Sequence, residues 1–138
     1  MTTADRSDSA GPFGFPGPVE IIAHRGFSAR APENTWAALD ASLSAGADAV
    51  EFDLHRASDG TPYLLHDETL DRTTSGTGAV HLHTPDELDR LDAGSWFDPA
   101  FVGEPIPSLA SVMTSLRGRV GRIYAEVKRT SSGEEMSS

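Results

Sequence analysis

Cysteine is absent from the 138 residues, which excludes a disulfide scaffold, a thiolate metal site and a cysteine nucleophile. Lysine is nearly absent: Lys128 is the only one, and the ten other basic residues are arginine. Basic residues total 11 against 21 acidic ones, a formal charge of −10, so the basic face of a nucleic-acid binder is missing and no nucleic-acid partner is expected. No apolar run nears the roughly 18 residues that a transmembrane segment needs. The chain does not open on a basic stretch followed by an apolar core of roughly 7–15 residues, so no secretory signal is read and a cytoplasmic location is expected. A nucleophile elbow, a P-loop and a dinucleotide fingerprint are also missing. Gly76 and Gly78 lack the flanking strand and helix of a phosphate loop.

What is present suits one domain of ordinary size. Residues 1–18, rich in Ser, Gly, Pro and Asp, read as a disordered leader, and 129–138 as a polar tail, leaving a domain over 19–128. Within it, strand and helix signals alternate. Val19 to Ala23 is a β-branched run. Pro32 to Ala45 reads as a helix with Trp36, Leu39 and Leu43 on one face, Asn34 as N-cap and Gly46 as its end. Asp48 to Leu54 alternates as a strand, and Pro62 to Leu65 follows a turn at Asp59-Gly60 as another. A weak helical signal over Pro85–Leu91, capped by Thr84 with Glu87 three residues on, lies inside a loop-rich stretch from 67 to 105. Pro107 to Leu116 reads as an amphipathic helix and Arg122 to Lys128 as the last strand. Such alternation implies a parallel sheet or a barrel.

Polar chemistry collects along and after these strands. Glu51 and Asp53 leave one strand face together, while Phe52 and Leu54 leave the other, where a helix layer would bury them. Two carboxylates side by side are costly in a sheet interior unless a hard cation such as Mg²⁺ or Ca²⁺ takes them as ligands. The plain alternative is a solvated face on an edge strand. Glu126 and Lys128 repeat the spacing on the last strand, where a surface ion pair is the competing interpretation. His24-Arg25-Gly26 follows the first strand and His66-Asp67 the third. Each histidine can transfer a proton, and Arg25 can hold a phosphate oxygen. His55, His81 and His83 are assigned no role, and Arg117, Arg119 and Arg122 are read as a solvated basic cluster.

Together the segments AHRG (23–26), PENT (32–35), VEFDL (50–54), LLHDETLDRTTSGTG (64–78), GSWFDPAF (94–101), GEPIPSL (103–109) and AEVK (125–128) resemble, in order, the N-terminal half of the glycerophosphodiester phosphodiesterase family. That resemblance implies a (β/α)8 TIM-barrel fold with a small insertion after the third strand, here 67–105. It implies Glu51, Asp53 and Glu126 as metal ligands and His24 and His66 as the acid–base pair. Arg25 and Lys128 would contact the substrate phosphate, and Glu33 would sit at the site edge. The implied cofactor is a divalent cation, Ca²⁺ or Mg²⁺. The implied reaction is hydrolysis of a glycerophosphodiester to an alcohol and glycerol 3-phosphate, the attacking oxygen being water or the substrate's own hydroxyl. His24 is expected to act as base and His66 as acid.

A barrel of this type takes about 250 residues. About four strands are therefore expected here, as an open half barrel whose edges favour self-association. The alternative to an enzyme is a truncated, non-catalytic half barrel that retains at most cation or phosphate binding.

Overall fold

The computed structural model describes residues 19–130, so the expected leader at 1–18 and residues 131–138 of the expected tail lie outside it. Ile22–His24 (β1) and Arg122–Val127 (β4) both pair parallel with Ala49–Arg56 (β2), which lies between them. Trp36–Ser44 (α1) connects β1 to β2, and Leu109–Leu116 (α3) precedes β4, as crossover connections of a parallel sheet require. No described helix is long and apolar enough to cross a membrane.

Pro62–Leu64 (β3) departs from the parallel pattern. Only residues 57–61 separate it from β2, too few for a crossover, so the chain reverses through Gly60 (φ +93°) and pairs antiparallel. β4 occupies one edge of β2 along residues 49–54, so β1 and β3 share the other edge. β1 lies opposite residues 49–51 and β3 opposite 54–56, which leaves a gap in the ladder at Phe52 and Asp53.

The two faces of β2 separate packing from chemistry. Val50, Phe52 and Leu54 are buried against Leu39 of α1, Val112 and Leu116 of α3, and Leu64. Glu51, Asp53 and His55 alternate onto the opposite face. α1 begins two residues beyond the expected cap: Thr35, not Asn34, is its N-cap and accepts from the Ala38 amide, because Asn34 lies in left-handed backbone at φ +57° and cannot join the helical turn. Gly46, at φ +89°, follows the end of α1 as expected. The stretch after β3 packs round its own apolar cluster of Tyr63, Leu65, Leu70, Val80, Leu88 and Ile106. Thr84 and Glu87 form the expected capping box of Pro85–Leu88 (α2), which stops at Leu88 rather than Leu91. Ser108 caps α3.

Phe52 is fully buried, whereas Leu82 is 71% exposed. Phe52→Ala is expected to destabilise the chain by about 3–5 kcal/mol, and Leu82→Ala by less than about 0.5. Urea unfolding midpoints check the pair; equal midpoints would contradict the assignment of the core.

Candidate active site

Asp53 is the centre of the polar face, and its side chain is 1% exposed. The β4 register sets Glu126 directly opposite it, and strand alternation puts Glu51 on the same face. One carboxylate oxygen from each of the three lies within 4.8 Å of those of the others. Burial and the neighbouring Asp53 charge push the Glu51 carboxyl above the ordinary range, against a lowering hydrogen bond from the Arg25 amide.

Two cations offset part of this charge. Arg25 Nε lies 3.2 Å from Asp53 Oδ2, an ion pair off the line of a hydrogen bond, and its Nη1 donates to Glu33 Oε2 at 3.4 Å. Lys128 Nζ donates to Glu126 and stands 3.7 Å from Asp53 Oδ1. Arg72 also binds Glu33 and Asp67, so five carboxylates (Glu33, Glu51, Asp53, Asp67 and Glu126) face three cations (Arg25, Arg72 and Lys128), and negative charge is left over. A hard oxygen donor set with excess negative charge fits a divalent cation.

The turn after β1 serves these acids directly. Arg25, at φ +56°, points its amide at Glu51 Oε1 (3.2 Å) and its side chain at Asp53. Asn34 is buried and donates to Asp53 Oδ2 (3.1 Å), and its Oδ1 accepts from the Asp53 amide (3.2 Å). It thereby fills the gap in the ladder between β1 and β3. The Asn34 amide in turn donates to the Arg25 carbonyl at 3.0 Å, so the two left-handed residues hold one another. At Gly26 a Cβ would lie 2.7 Å from the Ala38 carbonyl carbon, a close approach only glycine permits.

Of the two histidines, His24 contacts an acid of this centre directly, and His66 is linked to it through Asp67, Arg72 and Glu33. His24, largely exposed, has Nε2 3.6 Å from Glu51 Oε1. His66 lies two residues past the end of β3, and the antiparallel return brings it one residue beyond the level of Asp53: the Leu65 amide donates to the Asp53 carbonyl at 3.0 Å. Its Nδ1 meets Asp67 Oδ1 at 2.8 Å. His55, given no role from sequence, is buried on the polar face of β2, with Nε2 3.0 Å from the His66 carbonyl; burial lowers its pKa. Arg72 was also missed. Its guanidinium spans Asp67 and Glu33 and so ties the His66 segment to the turn carrying Arg25. Alternation on β2 was a signal for His55; nothing in the local spacing marked Arg72.

The model of the glycerophosphoryl diester phosphodiesterase family matches residues 24–136. A glycerophosphodiester phosphodiesterase of Caldanaerobacter subterraneus is 43% identical over 108 residues, covering 78% of this chain and 44% of that protein. A glycerophosphodiester phosphodiesterase structure from Agrobacterium tumefaciens superposes with TM-score 0.75 at 49% identity, over 78% of this chain and 47% of the other. A phosphodiesterase of Oleispira antarctica in complex with the product sn-glycerol-3-phosphate gives TM-score 0.72 at 37% identity, over 78% and 45%. The chain spans less than half the length of each, and its fold class is that of the (β/α)8 barrel.

An acid whose pKa is raised on folding is penalised when ionised. Glu51→Gln is therefore expected to stabilise the metal-free chain at neutral pH, with the gain shrinking as the pH falls towards the ordinary 4.5. Added Mg²⁺ or Ca²⁺ should stabilise the unsubstituted chain more than the variant. Thermal melts across pH, with and without cation, check both; a gain that grows on acidification would contradict the environment described for Glu51.

Proposed function

The chain belongs to the glycerophosphoryl diester phosphodiesterase family, and from that premise we propose that it carries the acid–base and cation-binding part of a site that hydrolyses glycerophosphodiesters to an alcohol and glycerol 3-phosphate. The single observation that carries this reading is the convergence of Glu51, Asp53 and Glu126 within 4.8 Å, with His24 against one of those acids.

Glu51, Asp53 and Glu126 would hold the divalent cation, for which an all-oxygen donor set favours Mg²⁺ or Ca²⁺. When bound, that ion would neutralise a phosphodiester oxygen and raise the electrophilicity of phosphorus. Arg25 and Lys128 would grip the phosphate; beyond its contacts to Asp53 and Glu33, Arg25 keeps further guanidinium donors. His24 takes the proton from the attacking oxygen as its bond to phosphorus forms. His66, entering this step as the imidazolium with Nδ1–H held by Asp67, delivers its Nε2 proton to the departing alkoxide as the other P–O bond breaks, and is left neutral. The exposed position of His24 suits contact with water or a substrate hydroxyl.

A second reading, cation or phosphate binding without turnover, is favoured by one observation. The Glu126 side chain is 55% exposed on β4, so one wall of the centre is open. Ile22 and Val127 on the outer strands, and Ile21 just before β1, are also 41–47% exposed, which supports self-association as a way of covering them.

Glycerophosphocholine with Mg²⁺ or Ca²⁺ is expected to yield glycerol 3-phosphate, lost on adding EDTA. His24→Ala and His66→Ala should each lower the rate on the order of 10²- to 10⁴-fold. Cation-dependent stabilisation with no release of glycerol 3-phosphate would favour the second reading instead.

A further inference from the structure

The double fork of Arg72 has no part in the mechanism above. Its Nε and Nη2 donate to Asp67 Oδ2 and Oδ1 at 2.9 and 3.0 Å, and its Nη1 and Nη2 donate to Glu33 Oε1 and Oε2 at 3.1 and 2.9 Å. Each carboxylate is thus gripped through both oxygens, a planar match that guanidinium makes and ammonium does not. The Trp96 ring lies against the same guanidinium, its centroid 5.9 Å from Cζ. Asp67 Oδ1 also meets His66 Nδ1. From this geometry we infer that Arg72 is a positioning residue: through Asp67 it fixes the tautomer and orientation of the His66 ring, so that Nε2 is the nitrogen turned to the reaction.

The argument runs through donors and acceptors. The two hydrogen bonds from Arg72 are the main reason the Asp67 carboxyl is held down to about 2, so at neutral pH it is an acceptor only. A neutral imidazole beside an obligate acceptor must present N–H there, which puts the proton on Nδ1 and makes Nε2 the nitrogen that takes up the proton the imidazolium then delivers. Without Arg72, Asp67 loses the partners that orient it, and the ring loses its fixed acceptor. At the other end, His55 Nε2 meets the His66 carbonyl, so the backbone of residue 66 is held independently of the ring. Removing the fork should free the ring and leave its backbone in place. Arg72 also binds Glu33, which Arg25 contacts, so one chain of charges links the support of His66 to the acid centre.

This inference rests on the proposed role of His66 in proton transfer, but its test does not need turnover. Long-range ¹⁵N–¹H correlation spectra of the imidazoles, recorded where His66 is neutral, report the tautomer directly. The unsubstituted chain is expected to show one His66 tautomer, protonated at Nδ1. Arg72→Met should lose that single pattern, and so should Arg72→Lys, which keeps the charge without the fork. Asp67→Asn, whose amide can donate to Nδ1, should shift the population towards the Nε2–H form, and it decides the matter if neither Arg72 variant folds. A His66 that stays wholly Nδ1–H in a folded Arg72 variant, or in Asp67→Asn if neither Arg72 variant folds, would overturn the inference, as would a mixed population in the unsubstituted chain. If the tautomer responds as expected while no glycerol 3-phosphate is released, the proposed function fails and the role of Arg72 in orienting His66 stands.

Discussion

A carboxylate that is almost wholly withdrawn from water, Asp53, is the constraint on which the rest of the structure depends. Such a group is tolerated only where charge and hydrogen bonds replace its hydration. Arg25 and Lys128 supply the charge, Asn34 supplies the hydrogen bond, and the three come from separate parts of the chain: the turn after β1, the segment beyond β4 and the turn before α1. Each partner constrains backbone as well as side chain. Arg25 and Asn34 both occupy left-handed backbone, a strain on the order of 1–3 kcal/mol each that persists because their contacts to Glu51, Asp53 and one another require it.

The fold delivers these groups by simple means. Alternation along β2 sends Val50, Phe52 and Leu54 to the helices and Glu51, Asp53 and His55 to the site. Parallel pairing with β4 adds Glu126 at the level of Asp53. The antiparallel return of β3 brings His66 back along β2, beside the gap in the ladder that Asn34 fills. The apolar cluster beneath residues 57–106 anchors the loop that carries Asp67 and Arg72. Packing on one side of the sheet therefore sets the geometry of the charges on the other.

Much of this was legible in sequence because it follows from period and spacing. The two-residue separation of Glu51 from Asp53, and of Glu126 from Lys128, places each pair on one strand face whatever the fold. The helix stripe of Leu39, and that of Val112 and Leu116, is equally local. Two of the misses depend on contacts distant in sequence. Asn34 read as a helix cap because cap residues are recognised by type, yet its side chain is taken by Asp53, 19 residues away. Arg72 read as part of a loop-rich stretch because, although Asp67 is five residues away, the partner that ties it to the site, Glu33, lies 39 residues off. His55 stood in an alternating strand and was passed over, although its place on the polar face followed from the same alternation. The orientation of β3 was readable from the five-residue connection, but strand–helix alternation elsewhere masked it.

Anomalous diffraction from crystals of the chain grown with Mn²⁺, an oxygen-seeking stand-in for Mg²⁺ or Ca²⁺, tests the central claim most directly. A centre organised round buried Asp53 should show one strong peak bonded to oxygens of Glu51, Asp53 and Glu126 at roughly 2.0–2.6 Å. A peak elsewhere, or none with Arg25 and Lys128 still closed on Asp53, would mean that the acids are held without an ion and that no cation belongs there.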